Sequence, residues 1–105
     1  MAKWIRIADV GDCPSGASIE CLAGDLLVAL FNVDGEYYAL DGVCPHQGGP
    51  LGKGRLEGPT VSCPWHGWQF DVVCGQHKTS RTVAQRAFPV RIEGRDVLID
   101  LEGHR

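Results

Sequence analysis

Short strand-type segments separated by turn residues run through the chain, and no stretch keeps the apolar period of an amphipathic helix. The apolar run at residues 26–33 is suited to a buried strand, and the Asp34-Gly35 pair after it is typical of a tight hairpin turn. A second hairpin is predicted across residues 93–96. The predicted strands are residues 4–7, 26–33, 37–40, 88–92 and 97–101. We therefore expect an all-β fold, an antiparallel barrel or sandwich.

The composition is that of one globular domain. The 105 residues are 44% hydrophobic and 22% charged, which argues against disorder. Thirteen acidic residues against ten Lys and Arg give a net charge of -3, and the absence of a basic block argues against a nucleic-acid partner. The N-terminus lacks an apolar leader, and the apolar run at residues 26–31 is too short to cross a bilayer. We expect a cytoplasmic protein with no membrane partner.

Five cysteines, an odd number, argue against a disulfide framework and favour reduced thiols or metal ligands. Three of them, Cys13, Cys21 and Cys74, have no partner at ligand spacing, so we expect packed thiols there. Two of the four histidines, His77 and His104, lie in polar segments and are expected to be solvated.

The other cysteines and histidines form two short boxes, Cys44-x-His46 and Cys63-x-x-His66, separated by sixteen intervening residues. Half of the 14 glycines lie in residues 42–67, which suits left-handed turns or close approach of the backbone to a ligand. Thiolate and imidazole are the ligands of zinc and of iron-sulfur centres, and each box supplies one of each. We therefore expect two loops to meet at one metal site.

Two kinds of centre fit these four ligands. A [2Fe-2S] cluster would place Cys44 and Cys63 on one iron and His46 and His66 on the other, which is the Rieske arrangement. A structural zinc ion would use the same set, but zinc modules usually pair cysteine with cysteine at C-x-x-C spacing. The mixed boxes favour the cluster.

The two boxes resemble those of the Rieske ferredoxins, the small electron carriers of multicomponent oxygenases. Further matching segments are Gly49-Pro50-Leu51, Leu56-Glu57-Gly58 and Trp68-Gln69-Phe70-Asp71. The resemblance covers most of the chain. It implies one [2Fe-2S] cluster, with a flavin-dependent reductase and a terminal oxygenase as transient partners. It also implies a single Rieske domain over residues 1–105, in which residues 41–75 form a cluster-binding subdomain inserted into a base of residues 1–40 and 76–105.

The expected activity is electron transfer without catalysis by the chain itself. A mononuclear iron site would need further histidines and a carboxylate, and no Gly-x-Gly-x-x-Gly unit is present for a flavin or nicotinamide cofactor. Two alternatives stay open beside the oxygenase ferredoxin. One is the small Rieske-like subunit of an assimilatory nitrite reductase or another redox complex, and the other is a zinc-bound structural module.

The resemblance also indicates how the residues of the two loops affect the reduction potential of the expected cluster. High-potential Rieske proteins carry an extra cysteine in each loop, which together form a disulfide, and hydroxyl side chains after the second box. At these positions this chain has Gly49, Trp65, Trp68 and Phe70. The resemblance therefore implies a low-potential carrier. Residues 75–87 lack the proline that the family often places over the cluster, and their cations suit contact with an acidic partner.

Overall fold

The computed structural model describes residues 2–44, 48–65 and 67–103. Within them, antiparallel strands form three sheets, which confirms the predicted all-β class. The strands are β1 (Trp4–Asp9), β2 (Ser18–Ala23), β3 (Leu26–Val33), β4 (Glu36–Asp41), β5 (Arg55–Glu57), β6 (Thr60–Ser62), β7 (Gln69–Asp71), β8 (Ala87–Phe88), β9 (Val90–Glu93) and β10 (Asp96–Asp100). Short 3₁₀ turns occupy Val10–Asp12 and Leu51–Lys53.

Two sheets come from the ends of the chain and face each other. The first has the order β1-β10-β9 and the second β2-β3-β4-β8. Their shared core includes Val28, Leu30, Phe88, Val97 and Ile99, each fully buried. The first and last parts of the chain are thus joined by burial of apolar surface, the main favourable contribution to folding.

Strand β3 is buried on both faces, which explains its continuous apolar sequence. Because side chains alternate across a strand, Val28 and Leu30 enter the core against the first sheet, whereas Ala29 and Phe31 enter a second core on the opposite face. The predicted hairpin after β3 is confirmed. Asp34 and Gly35 have φ values of 52° and 92°, as a two-residue hairpin turn of type I′ requires.

The third sheet has the order β5-β6-β7 and covers the second core. Val61 of β6 and Phe70 of β7 are fully buried there together with Leu51 and Val72. Since these strands have only three residues each, their sequences are too short to show a strand period.

The strand predicted at residues 88–92 is wrong at its start. Phe88 belongs to β8 and pairs with Ala39 of β4, whereas β9 begins at Val90 and pairs with β10. Pro89 separates them, because proline has no amide hydrogen to continue a ladder, and the chain passes there from the second sheet to the first. The hairpin of β9 and β10 is confirmed. The part of the chain that the structure describes contains no helix with the length and hydropathy of a membrane span.

Candidate metal centre

The two loops that carry the boxes have the same backbone frame. In the first loop the Cys44 amide donates to the Gly49 carbonyl at 2.8 Å, and the Gly48 amide donates to the Cys44 carbonyl at 2.9 Å. The second loop repeats both bonds at the same sequence spacing. The Cys63 amide donates to the Trp68 carbonyl at 2.7 Å, and the Gly67 amide donates to the Cys63 carbonyl at 3.2 Å. Each cysteine is therefore held at the neck of a closed loop.

A left-handed glycine lies four residues after each of these cysteines. Gly48 and Gly67 have φ values of 73° and 71°, a conformation that costs other residues about 1–2 kcal/mol. Gly48 and Gly67 thus close the two loops. The left-handed turns predicted for the glycine-rich residues 42–67 are confirmed at these two positions. His46 and His66, the other two predicted ligands, lie outside the described residues.

The loops bring the two predicted cysteine ligands together. Cys44 and Cys63 are 1% and 2% exposed and lie in the same core. Burial raises the pKa of the Cys63 thiol, and the neighbouring Cys44 thiol raises it further, whereas the backbone amide of Trp65 donates to the Cys63 sulfur and opposes the rise. Because the thiolate is the metal ligand, a bound iron must displace these protons.

Gly49 leaves room beside the Cys63 sulfur. A Cβ at Gly49 would lie 2.6 Å from Cys63 Sγ and 3.2 Å from the Trp65 side chain. A buried pair of thiols with no side chain on the neighbouring backbone of Gly49 fits an iron-sulfur cluster, because the main chain must approach the sulfides of the cluster closely.

The sequence predicts a solvated His77, and this prediction is wrong. Its ring packs edge-on against Trp68 at 4.8 Å and against Phe70 at 5.2 Å between ring centroids. Its Nδ1 accepts the backbone amides of Thr79 and Ser80 at 3.1 and 3.0 Å, so the ring fixes the start of the following loop. Its Nε2 is buried and has no hydrogen-bond partner among the described residues. The prediction failed because the residues next to His77 in the chain are polar, whereas its aromatic contacts come from β7 and the residue before it.

Gln85 also supports the site and was missed by the sequence interpretation. It is 7% exposed, and its side-chain amide donates to the carbonyls of Asp41 and Val43, just before Cys44. An isolated glutamine in a polar segment carries no local pattern that would have indicated this long-range role.

The remaining cysteines divide into two classes. The predicted packing of Cys13 and Cys21 is confirmed, because both are buried and burial raises the pKa of each to about 11. The Cys13 thiol donates to the carbonyls of Ala17 and Leu30. Cys74 is exposed, so the prediction of a packed thiol is wrong there.

The aromatic residues of the second box differ in exposure. Trp65 is 50% exposed, whereas Trp68 is half-buried against His77. Trp68 therefore covers the interior, and Trp65 offers an apolar surface beside the second box.

Comparison with known proteins agrees with this geometry. Residues 3–93 match the family model described as the Rieske [2Fe-2S] domain. The ferredoxin component of the naphthalene 1,2-dioxygenase system from Pseudomonas aeruginosa is 35% identical over 100 residues, which are 94% of this chain and 96% of that protein.

Solved structures show the same fold. The Sphingomonas yanoikuyae B1 ferredoxin has a TM-score of 0.85 at 30% identity, covering 93% of this chain and 98% of its own. A structure described as a putative NADH-dependent nitrite reductase small subunit from Mycobacterium tuberculosis has a TM-score of 0.88, with 98% of each chain covered, but only 21% identity, so it shows the fold alone. The family match spans most of the sequence and includes both cysteine loops. This chain belongs to the Rieske [2Fe-2S] domain family.

Proposed function

We propose that this protein is a ferredoxin that passes single electrons from a flavin-dependent reductase to the terminal component of a ring-hydroxylating type of oxygenase. The observation that carries the proposal is the match over nearly the whole length of both chains to a dioxygenase ferredoxin component. A chain of this size whose two cysteine loops bring Cys44 and Cys63 together suits a carrier that acts between larger partners.

The proposed ligands are Cys44 and Cys63 on one iron and His46 and His66 on the other. The family identity and the juxtaposed cysteine loops support this assignment. When bound, the [2Fe-2S] cluster supplies one-electron oxidation and reduction. The chain contributes the closed loops that hold the thiols, and the Trp65 amide that donates to the Cys63 sulfur and offsets its negative charge.

Visible absorption and reduced-state EPR of the purified protein test the cofactor directly. We expect iron, acid-labile sulfide and, in the reduced protein, the rhombic EPR signal of a histidine-ligated cluster. NADH and a flavin-dependent reductase should reduce this cluster. Colourless protein with one zinc and no iron would instead support the zinc-module alternative. Stable copurification with a nitrite reductase would support the subunit alternative, for which the 21% identical neighbour provides only a fold.

We predict a midpoint potential in the lower part of the span of about -150 to +300 mV for Rieske centres. Phe70 is buried and has no hydroxyl, and neither Trp65 nor Trp68 can supply one. Fewer donors to sulfur leave the reduced cluster less stabilised. A redox titration measures this, and the substitution Phe70→Tyr should raise the potential, whereas Phe88→Tyr in the other core should not. A native midpoint well above zero at neutral pH contradicts the prediction.

Gly49→Ala should lower the iron content of the protein by at least about half, because the added Cβ meets a buried sulfur at 2.6 Å and the loop must shift. Gly48→Ala is the matched control in the same loop, since its φ of 73° adds strain, but among the described residues its Cβ would meet only Val43, at 3.9 Å. Iron and sulfide analysis of both variants separates the effect of the collision with the Cys63 sulfur from the effect of backbone strain. Equal iron content in Gly49→Ala and the wild-type protein would show that the loops tolerate the methyl group.

We also infer that residues 41–75 form a cluster-binding subdomain on a base of residues 1–40 and 76–105. The third sheet, Arg55–Asp71, lies inside the first range and supports the division. A cytoplasmic location is proposed because the described cysteines are free, and Cys13 and Cys21 stay as buried thiols. Cell fractionation tests the location, and hydrogen exchange tests whether residues 41–75 open as a unit.

A further inference from the structure

Charge is distributed very unevenly along the chain. Residues 42–92 contain six Lys or Arg and two acidic residues, a net charge of +4. The rest of the chain contains four Lys or Arg and eleven acidic residues, a net charge of -7. The positive charge lies after the second box: residues 76–92 contain four Lys or Arg and no acidic residue, whereas the proposed cluster-binding segment, residues 41–75, has a net charge of -1.

Most cations of the described residues are already engaged. Five form ion pairs, which are Arg6–Asp96, Lys53–Glu20, Arg55–Glu57, Arg91–Glu93 and Arg95–Asp9. Arg86 lies over the Phe88 ring at 4.6 Å and donates to the Leu101 carbonyl. Lys78 and Arg81 are exposed, and neither forms an ion pair within the described ranges. Residues 72–92 contain no acidic side chain that could neutralise them locally.

The backbone holds Lys78 next to the second box, and Arg81 lines a neighbouring cavity together with Lys78. The Lys78 amide donates to the Gln69 carbonyl at 2.9 Å, which joins the loop to β7. A cavity of about 220 Å³ is lined by Lys78 and Thr79 on one side and by Gly67 and Trp68 on the other, directly after His66. Two side chains fix the conformation of this loop. The His77 ring accepts the Thr79 amide, and the Gln76 side chain donates to the carbonyls of Ser80 and Val83.

We propose that Lys78 and Arg81 form a basic docking surface beside the cluster, and that its occupant is a redox partner protein with a carboxylate-rich surface around its own electron port. The exposed apolar side chains of Trp65 and Val43 lie in the two box loops and supply the apolar contact of a small transient interface. The charges orient the approach, since a molecule of this polarity turns its positive end toward an acidic surface. This inference rests on the proposed electron-carrier function.

The test is the ionic-strength dependence of electron transfer from the reduced holoprotein to small oxidants of opposite charge, measured by stopped flow between about 0.01 and 0.5 M salt. Ferricyanide, an anion, should react more slowly as salt is added, and hexaammineruthenium(III), a cation, should react faster. The net charge of -3 alone predicts the reverse for both oxidants. The sign of the salt effect therefore reports the charge beside the cluster.

Charge-reversal variants locate that charge. Lys78→Glu and Arg81→Glu should each lower the ferricyanide rate at low salt by about 3- to 10-fold. Lys3→Glu is the matched control, because Lys3 is an exposed cation beside β1 and its reversal changes the net charge by the same amount. The control should change the rate by less than about 2-fold. Iron content and midpoint potential are measured for every variant, so that a change in rate can be separated from a change in cluster occupancy or driving force.

A second readout does not depend on electron transfer. The redox-inert anion hexacyanochromate(III) should broaden the amide NMR signals of residues 76–82 before those of β1 and β10. A ferricyanide rate that rises with salt in the wild-type protein, or equal effects of Lys78→Glu and Lys3→Glu, would overturn the docking proposal. Protein without a reducible cluster would instead overturn the proposed function on which it rests.

Discussion

Cys63→Ser is expected to abolish the visible absorption and the EPR signal of the protein and to leave less than about one tenth of the wild-type iron. Cys63 is 2% exposed and lies against Cys44, which is itself a proposed ligand. Of the other described cysteines, Cys13 and Cys21 lie in the other core and Cys74 is exposed, so none replaces the Cys63 thiol. A serine hydroxyl is a much weaker acid than a thiol and a harder ligand, and it binds iron poorly in place of a cluster thiolate. Metal and sulfide analysis of freshly purified protein measures the loss.

The matched control is Cys74→Ser, because Cys74 is exposed and lies outside both cysteine loops. This variant should keep the iron content, spectrum and midpoint potential of the wild-type protein. His66→Ala should lose the cluster as Cys63→Ser does, if the histidine is a ligand as proposed. Full cluster occupancy in Cys63→Ser would contradict the ligand assignment while leaving the family and the fold intact.

The chemistry of the site could be predicted from the sequence because metal ligands are drawn from few residue types. Cysteine and histidine at short spacing, repeated once, already indicated one site formed by two loops. The identical hydrogen-bond frames of the two loops could not be predicted, since their sequences differ in the position of the histidine. The contact between Gly49 and Cys63 is equally invisible, because it joins residues that are distant in the chain.

The fold shows the same division between local and long-range determinants. The hairpin at Asp34-Gly35 was predictable because two positive φ values favour these residue types wherever they occur. The strands β5, β6 and β7 were not, since three residues form a strand only when neighbouring strands supply the pairing. The roles of Gln85 and His77 likewise arise from partners that the fold brings to them.

Gly75→Ala is expected to destabilise the holoprotein by about 3–4 kcal/mol, among the larger effects of single substitutions. Gly75 has a φ of 82°, and an added Cβ would lie 2.0 Å from the Gln85 carbonyl oxygen. Gln85 cannot move away freely, because its amide donates to the Gly75 carbonyl at 2.7 Å and its side chain binds the segment before Cys44. The apparent Tm should fall by at least about 12 °C, measured by calorimetry at one scan rate.

Gly94→Ala separates backbone strain from collision. Gly94 also has a left-handed φ, of 62°, but no atom of the residues that the structure describes lies within 4 Å of a methyl group added in this β9–β10 turn. Its replacement should cost only the conformational strain of about 1–2 kcal/mol. Because Gln85 links Gly75 to the first cysteine loop, Gly75→Ala should also lose iron more readily on mild heating, whereas Gly94→Ala should not. Equal Tm values for the two variants would mean that the Gln85 backbone yields to the methyl group, and that this contact does not couple the base to the metal loops.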